Sequence, residues 1–396
     1  MLIKQQYEHF KLSAPYEETP LLLKLTPFWP ATVSNEAVRS HIISQTMASS
    51  NSEKQLILYH YSYSPYARRV IWYLTLRSIP YSQCVQPPIL PRPDLASLGI
   101  SYRRIPLLAI DGDVLLDTRL MLTELEALFP DLPRLGTTPD SAPELRALER
   151  LLSTFTTETS LFSTAASLLP TDILSDAWFR DRAQFSGPSA DPPSEKRVRE
   201  SMAAGRPAAE AEIARALDFL EHILLADGRA WVLGPGAGPT LADIEAVWPF
   251  HWLYELPGAL APERFGEARY PRVHAWIARF QAAVAAAKKR APKTPKVSGE
   301  EAAERIAAAA TADAGDVDAS DPVAVREGLK AGDRVVVWPT DTGSTHKDAG
   351  TLVALDKTKV VFTVEGQQGA KIRVHAPRHG FKVKRVKSEG HAGAKL

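Results

Sequence analysis

The chain has 396 residues, which is enough for two or three domains. Hydrophobic residues make up 45% and charged residues 23% of it, a balance typical of a soluble globular protein. The formal net charge is +1, so no overall field favours nucleic acid or membrane. The single cysteine, Cys84, excludes an intramolecular disulfide and a Cys-based zinc cluster.

No apolar run approaches the roughly 20 residues that a membrane-spanning helix needs. The N-terminal run at residues 21–25 (LLLKL) is too short and contains a lysine. Residues 1–20 lack the basic-then-apolar order of a secretory signal. We therefore expect a cytoplasmic protein, and the low cysteine content suits a reducing compartment.

Residues 1–52 show neither helical nor strand periodicity and are predicted to be a disordered N-terminal extension. Met47 comes shortly before the first β-rich run, and we suspect that it is the native start. A genuine flexible tail is the alternative, and detection of a peptide from upstream of Met47 in the native protein would favour it.

Residues 53–135 are predicted to contain a β-α-β unit followed by a β-β-α unit. The strands are expected at 55–61, 81–85, 105–110 and 114–116, and the helices at 65–78 and 117–129. Residues 111–112 (Asp-Gly) predict a tight hairpin turn between the last two strands. In the first helix, the spacing of apolar residues places three arginines largely on the outer face: Arg68, Arg69 and Arg77. This order of elements is that of a thioredoxin-like fold.

Residues 140–288 are predicted to form an all-helical region, which follows a Pro-rich segment. Helices are expected at 142–169, 171–184, 206–226, 240–256 and 270–287, with an exposed loop at 186–200. Thr240 and Asp243 form a capping signal at the start of the fourth helix.

The pattern changes again after a predicted linker at 289–325, which is expected to be helical in part at best. Short β-rich runs then follow at 333–338, 350–355, 360–364 and 371–374. Their even spacing predicts a small all-β barrel of the SH3 or Tudor type at 326–387, followed by a basic tail at 388–396.

Four segments together resemble the cytosolic glutathione transferases. They are YSYSPYARRV from Tyr61, IPLLAIDGDVLLDT from Ile105, TLADIEAVWPF from Thr240 and YPRVHAWIARF from Tyr270. The resemblance covers residues 56–287. The sequence of these residues is similar to that of a fungal-type branch of the family that has serine in the active turn. It implies a thioredoxin-like N-domain, an all-α C-domain and glutathione as co-substrate, without a further cofactor or metal.

The resemblance implies a role for Ser64, which precedes Pro65 at the start of the first helix. A hydroxyl that donates to sulfur at a helix N-terminus stabilises the thiolate of glutathione and raises its reactivity. Ser62 and Tyr63 are alternative donors, and a plain helix cap is the alternative reading of Ser64. The two roles of Ser64 are compatible.

The resemblance also implies where glutathione binds. Pro106 matches a cis-proline that exposes the backbone of Ile105 for pairing with the cysteinyl part of glutathione. Asp117 and Thr118 match the acid-hydroxyl pair that holds the γ-glutamyl end, although the family more often has Glu-Ser there. A trans proline and a plain helix cap are the respective alternatives.

Other residues have weaker signals. Arg103 and Arg104 could pair with a glutathione carboxylate, although such arginines are more often solvated. Tyr66 and Trp178 could line a pocket for the second substrate, as could Trp252, although helical aromatics are more often core. Cys84 is predicted to belong to the hydrophobic core. The spacing of the histidines along the chain is not that of a metal-binding motif.

Two functions remain open at this level. The first is a glutathione transferase, of the kind used in detoxification, that activates the glutathione thiolate against a small electrophile or a peroxide and forms a homodimer. The second is a non-catalytic docking module that recruits protein or nucleic-acid partners through the C-terminal barrel. Residues 371–396 carry eight Lys and Arg against one acid, a net charge of +7, but few aromatic residues for base stacking, so a solvated surface is the preferred reading.

Overall fold

The computed structural model describes residues 54–186 and 194–386. The predicted extension at 1–52, with its suspected start at Met47, and the predicted tail at 388–396 lie outside the described residues. No helix of the described part is long and apolar enough to cross a bilayer.

Nine strands form one sheet in the described part of the chain. They are β1 (Leu56–His60), β2 (Ser82–Val85), β3 (Leu107–Ile110), β4 (Asp113–Leu116), β5 (Arg334–Pro339), β6 (Asp348–Leu355), β7 (Lys359–Glu365), β8 (Lys371–Pro377) and β9 (Phe381–Arg385). Their order in the sheet is β2-β1-β3-β4-β8-β7-β6-β5-β9.

Twelve α-helices are present in the same described ranges. They are α1 (Pro65–Leu76), α2 (Pro93–Ser97), α3 (Thr118–Leu128), α4 (Pro143–Thr157), α5 (Leu161–Ala166), α6 (Asp176–Ala183), α7 (Glu195–Phe219), α8 (Leu241–Tyr254), α9 (Pro262–Phe265), α10 (Pro271–Arg290), α11 (Gly299–Ala308) and α12 (Pro322–Glu327). One π-helical turn, Leu220–Leu224, extends α7.

The first four strands and α1 to α3 form the thioredoxin-like domain that the sequence predicts. β1 pairs in parallel with β2 and antiparallel with β3, and β3 pairs antiparallel with β4. The turn between β3 and β4 is the predicted Asp-Gly hairpin, in which Asp111 has φ +52°. The fold class of this part is therefore confirmed.

The helices α4 to α10 form the predicted helical domain. The capping signal at α8 is confirmed, because the Asp243 carboxylate accepts hydrogen bonds from the Thr240 N–H and hydroxyl. The same carboxylate is buried and accepts the indole N–H of Trp276 at 2.9 Å. One residue thus caps α8 and ties it to α10.

Three expectations for the helices are wrong. The helix expected at 142–169 is divided into α4 and α5 by a turn at residues 158–160. The loop expected at 186–200 is already helical from Glu195, since the Ser194 hydroxyl caps α7 by accepting the Arg197 N–H. The arginines Arg69 and Arg77 of α1 are buried, not on the outer face. Arg77 donates to carbonyls at and after the end of α3, which have no partner within a helix.

The C-terminal β region contains the four predicted strands and a fifth one, β9. These strands form a small β domain in the order β8-β7-β6-β5-β9. Closure into an SH3 or Tudor barrel stays a prediction, as do the domain boundaries.

The β domain is not simply appended after a linker. β8 pairs in parallel with β4, with Val114 opposite Val374, so that the two sheets become one. The Asp113 carboxylate on β4 is buried and binds the Arg373 guanidinium and, at 2.7 Å, the His375 ring. Burial alone would raise the pKa of Asp113, but these two partners outweigh it and hold the pKa well below its usual range.

The segment predicted as a linker also packs against the thioredoxin-like domain. Val297 donates its N–H to the Gln83 carbonyl, and Gln83 donates to the Pro295 carbonyl, so this segment covers the outer edge of β2. In α11, Ala302 and Ile306 are buried. Both edges of the four-stranded sheet are therefore covered by the chain itself, which removes open pairing positions.

Alternate residues of β1 face two different cores. Leu56 and Leu58 point toward the helices of both α-containing domains, whereas Ile57 and Tyr59 point toward the β domain and α11. The β domain therefore shares a continuous apolar core with one face of the thioredoxin-like sheet.

Asp348 is a buried carboxyl that links the two domains, and it predicts a pH dependence of stability. It accepts a hydrogen bond from the Ser101 N–H, while burial raises its pKa to about 6. The folded-state pKa lies above the unfolded value of about 3.9, so the folded state keeps the proton longer. The contribution of this group to stability is thus complete below about pH 4 and is lost as the pH rises through about 6.

We expect Asp348→Asn to remove this loss of stability at higher pH. The asparagine keeps an oxygen that can accept the hydrogen bond from the Ser101 N–H. The free energy of unfolding of the variant should match that of the wild type near pH 4 and exceed it by about 2 to 3 kcal/mol at pH 7. Urea unfolding across this range measures the difference, with Asp172→Asn at an exposed position as the control. A difference that does not change with pH would contradict the assignment.

Candidate active site

Ser64 lies where β1 leads into α1. Its hydroxyl oxygen accepts the Ala67 N–H at 3.2 Å, and its own N–H donates to the Tyr61 carbonyl at 3.1 Å. The residue is 2% exposed. Ser64 is therefore the cap of α1, and its hydroxyl proton is still a donor that a neighbouring sulfur could accept. Its role toward a thiol stays a prediction.

The Ile105–Pro106 peptide bond is cis, in agreement with the expected geometry. It directly precedes β3, whose Leu107 lies opposite Tyr59 of β1. Continuing this antiparallel register places Ile105 beside Tyr61, in the turn that holds Ser64. The sheet thus brings the cis peptide and the start of α1 together.

Asp117 caps α3 with an unusual backbone. Its φ is +68°, in the left-handed region that a non-glycine residue rarely adopts. Its carboxylate accepts the Arg119 N–H at 3.0 Å and two bonds from the Arg119 guanidinium at 2.9 Å, and the Arg104 Nη1 is 3.9 Å away. Burial alone would raise the pKa of Asp117, but Arg119 outweighs it and lowers the pKa.

Thr118, the first residue of α3, is buried and its hydroxyl accepts a hydrogen bond from the Arg69 guanidinium. Arg69 also forms a buried ion pair with Glu245 of α8. The Arg69 guanidinium carbon lies 5.7 Å from the centre of the Trp248 ring. One arginine thus connects α1, the start of α3 and the helical domain.

The sequence reasoning missed Arg69 because the charged side chain was assigned to solvent. A usable signal existed: Arg69 lies four residues before Tyr73, on the same face of α1, and Tyr73 is fully buried. A charged residue on a buried face needs a partner of opposite charge.

The aromatic candidates for a second-substrate pocket lie in different surroundings. The Tyr66 ring is 4.8 Å from Phe162 and 4.7 Å from Trp248, and burial raises the pKa of Tyr66 to about 12. Trp178 packs against Phe179, with the Arg182 guanidinium over its ring. Both belong to the helical core cluster, and their role toward a substrate stays a prediction.

The remaining candidates differ in their burial and in their partners. Cys84 is buried next to Asp94, and burial raises the pKa of its thiol to about 12, which makes it a poor nucleophile. Arg103 is buried and pairs with Asp181 at 3.0 Å, whereas Arg104 is partly exposed and faces Asp117. Ser62 is exposed, and the Tyr63 ring lies 4.9 Å from that of Tyr61.

Among the described residues, no group of three or more His, Cys, Asp or Glu side chains is arranged to hold a metal ion. The polar groups near Ser64, Ile105 and Asp117 are hydroxyls, a backbone segment and paired charges. This arrangement suits a small zwitterionic ligand with a polar backbone.

Comparison with known proteins agrees with the fold described above. Residues 58–134 match the family model for the glutathione S-transferase N-terminal domain. The fold is that of the glutathione transferases. Residues 164–289, most of the helical domain, match the model of a domain of unknown function, DUF7962. No curated protein matches the chain.

Two solved structures illustrate the likeness. A GST-like protein from Pseudomonas syringae is 24% identical, with a TM-score of 0.58, over 84% of this chain and 99% of its own. A rice glutathione transferase, solved in complex with glutathione, is 21% identical, with a TM-score of 0.43, over 64% of this chain and 96% of its own. Residues 56–290 make up only about three fifths of the chain, so the likeness to the Pseudomonas protein extends into the segments after α10.

The buried Arg69–Glu245 pair predicts a large effect of removing one partner. We expect Glu245→Ala to lower the free energy of unfolding by about 3 to 5 kcal/mol, since it leaves the Arg69 charge buried and unpaired. Urea denaturation measures this. The exposed pair of Glu212 and Arg215 supplies the control, and Glu212→Ala should cost about 0 to 1 kcal/mol.

The double variant Arg69→Met, Glu245→Leu separates charge from packing. Because it removes both charges, it should recover most of the stability that Glu245→Ala loses. A double variant as unstable as Glu245→Ala would show that packing around Glu245, not the unpaired charge, causes the loss.

Proposed function

We propose that the protein is a glutathione transferase that binds glutathione between β3, α1 and α3 and directs its thiolate at a small electrophile or a peroxide. The observation that carries the proposal is the convergence of three elements in a chain with this fold. The cis peptide at Pro106, the N-terminus of α3 at Asp117 and the N-terminus of α1 at Ser64 lie around one end of the sheet.

Each element has a separate task in binding. The Ile105 backbone pairs with the cysteinyl backbone of glutathione as a neighbouring strand would. The Asp117 carboxylate pairs with the ammonium group of the γ-glutamyl end, while Thr118 and the amides that begin α3 take its carboxylate. These contacts place the thiol at the start of α1.

The chemistry then depends on the thiolate. A free thiol has a pKa of about 8.5, so little of it is ionised at pH 7. The Ser64 hydroxyl donates to the sulfur and the positive end of α1 favours its negative charge, so the thiol loses its proton to water more readily. The sulfur lone pair then forms the bond to an electrophilic carbon, and the leaving group departs with its electron pair.

With a peroxide, the thiolate attacks one oxygen and the O–O bond breaks to release an alcohol or water. The glutathione sulfenic acid that forms condenses with a second glutathione to a disulfide and water. Residues 62–65 contain no cysteine and the thiol of Cys84 is buried, so we assign no covalent step to an enzyme thiol. We propose the cytoplasm, where glutathione is abundant in reduced form, as the location.

We also propose that the protein forms a homodimer, and the structure restricts which surface can form the interface. The edge of β4 is already paired with β8 of the same chain. A second copy therefore has to bind through another surface than this sheet edge.

Replacing Ser64 tests the proposed donor. We expect Ser64→Ala to lower the rate of glutathione conjugation to chlorodinitrobenzene about tenfold to a hundredfold, the value of a hydrogen bond to a charged group, with little change in glutathione affinity. The pKa of bound glutathione, followed by thiolate absorbance, should rise in parallel. An unchanged rate with retained binding would remove Ser64 from the mechanism.

The cap function of Ser64 requires its own control. Ser298 caps α11 in the same way by accepting the Glu301 N–H at 3.1 Å. Ser298→Ala should cost a similar stability, about 1 kcal/mol, with no effect on the rate. A rate loss in Ser298→Ala would mean that stability alone explains the Ser64 variant.

A second candidate function is a docking module, and one surface favours it. The outer face of β5 and β9 carries Trp338 opposite Lys382 and Val336 opposite Lys384. The Lys347 ammonium lies 4.8 Å from the centre of the Trp338 ring. A groove of about 280 Å³ runs along this basic face. Cations beside an accessible aromatic ring suit single-stranded nucleic acid.

We expect a labelled single-stranded oligonucleotide of about 20 nucleotides to bind this basic face with strong salt dependence. Trp338→Ala should weaken it about tenfold, and Lys382→Ala with Lys384→Ala should flatten the salt dependence. Lys357→Ala with Lys371→Ala, two exposed lysines elsewhere in the β domain, is the matched control. Equal losses in both lysine pairs would indicate unspecific charge, and binding of an acidic peptide alone would indicate a protein partner.

A further inference from the structure

The β domain has a fixed position beside the candidate active site. The β4–β8 pairing, the buried Asp113 with its two partners and the shared apolar core join it to the thioredoxin-like domain. A loop of this domain that reaches the site is therefore held beside it at both ends and forms a wall of it.

The loop between β5 and β6, residues 340–347, is such a wall. Arg104 donates from Nε and Nη2 to the Thr342 carbonyl at 2.8 and 2.6 Å, and its Nη2 also forms an ion pair with the Asp341 carboxylate. Arg104 directly precedes the Ile105–Pro106 peptide. The loop thus attaches to the residue next to the proposed backbone clamp.

Gly343 allows the loop to come this close. Its φ is +86°, and a Cβ at this position would lie 3.0 Å from Cγ of Arg103. A side chain here would be both strained and crowded. Glycine at position 343 therefore permits the close approach of the loop to Arg103 and Arg104.

Arg104 stands between two carboxylates. Its Nη1 lies 3.9 Å from the deep carboxylate of Asp117, and its Nη2 pairs with that of Asp341. The side chains of Asp117, Arg104 and Asp341 are 10%, 21% and 66% exposed, so exposure increases outward along this row. A ligand that approaches from solvent meets the Arg104–Asp341 pair before it meets Asp117.

We propose that Asp341 and Arg104 form the outer half of the subsite for the γ-glutamyl end, so that the β domain contributes a specificity-determining residue to the thiol cleft. This rests on the proposed glutathione function. The α-carboxylate of the ligand pairs with Arg104 in addition to Thr118 and the α3 amides, and its α-ammonium pairs with Asp341 in addition to Asp117. A zwitterion that exchanges partners with an existing ion pair leaves no charge without a counter-charge.

A ligand that lacks the ammonium group cannot make this exchange. It would take Arg104 from Asp341 and leave that carboxylate unpaired. The subsite should therefore discriminate glutathione from glutaryl-cysteinyl-glycine, the same molecule without its α-amino group. Asp341 should account for part of this discrimination and Asp117 for the rest.

The test measures the dissociation constants of both ligands by calorimetry for the full chain. We expect Asp341→Asn to bind glutathione up to about fivefold more weakly than the wild type, and to bind the glutaryl analogue more tightly, since that ligand no longer leaves a carboxylate unpaired. Glu212→Gln, which removes the acid of another exposed ion pair far along the chain on α7, should bind both ligands as the wild type does. Urea unfolding should give the same midpoint for both variants.

The outcomes separate this inference from the proposed function. If the wild type binds glutathione and Asp341→Asn binds it equally or more tightly, the Asp341 contact is wrong while the glutathione function stands. If Asp341→Asn weakens both ligands equally, Asp341 only supports the loop, and the specificity role is wrong. If the wild type does not bind glutathione at all, both proposals fail.

Discussion

The parallel pairing of β8 with β4 is the contact on which the rest of the structure depends. A four-stranded thioredoxin-like sheet would leave β4 as an open edge, which invites pairing with another chain. Here a strand from the end of the same chain fills that edge, and the buried Asp113 fixes it with two cationic partners. The β domain and the thioredoxin-like domain consequently share one sheet.

Buried charges are the second organising feature. Arg69 is paired with Glu245, Arg103 with Asp181, and Asp113 with Arg373, each at a junction between different parts of the chain. A buried ion pair contributes little net stability but strongly penalises any arrangement that separates its members. These pairs therefore select one relative placement of the elements that carry Ser64, Ile105 and Asp117.

The sequence predicts local features well and the long-range ones poorly. Strand alternation, the Asp-Gly turn and the cap at Thr240 follow from neighbouring residues, and the cis-proline at Pro106 follows from the family resemblance. The β4–β8 pairing joins residues about 260 positions apart, and nothing in the pattern of either short strand specifies the other as its partner. The partner of Arg69 could not be predicted for the same reason, since Glu245 lies on another helix in another domain.

The same distinction applies to the candidate site. The inner residues, Ser64, Pro106 and Asp117, stand in motifs that sequence alone can place. Asp341 lies in a loop of the β domain. It reaches the site only because the pairing of β8 with β4 places this domain, and with it the loop, beside Arg104. Arg119 pairs with both Asp117 and Glu158, and Arg104 lies between Asp117 and Asp341, so this subsite contains charges of both signs that already have partners. A zwitterion can enter such a subsite by exchanging partners with an existing ion pair, whereas a singly charged ligand leaves one member of that pair without a counter-charge. The paired charges of the subsite, not its shape alone, therefore favour an amino-acid terminus over a simple acid or amine.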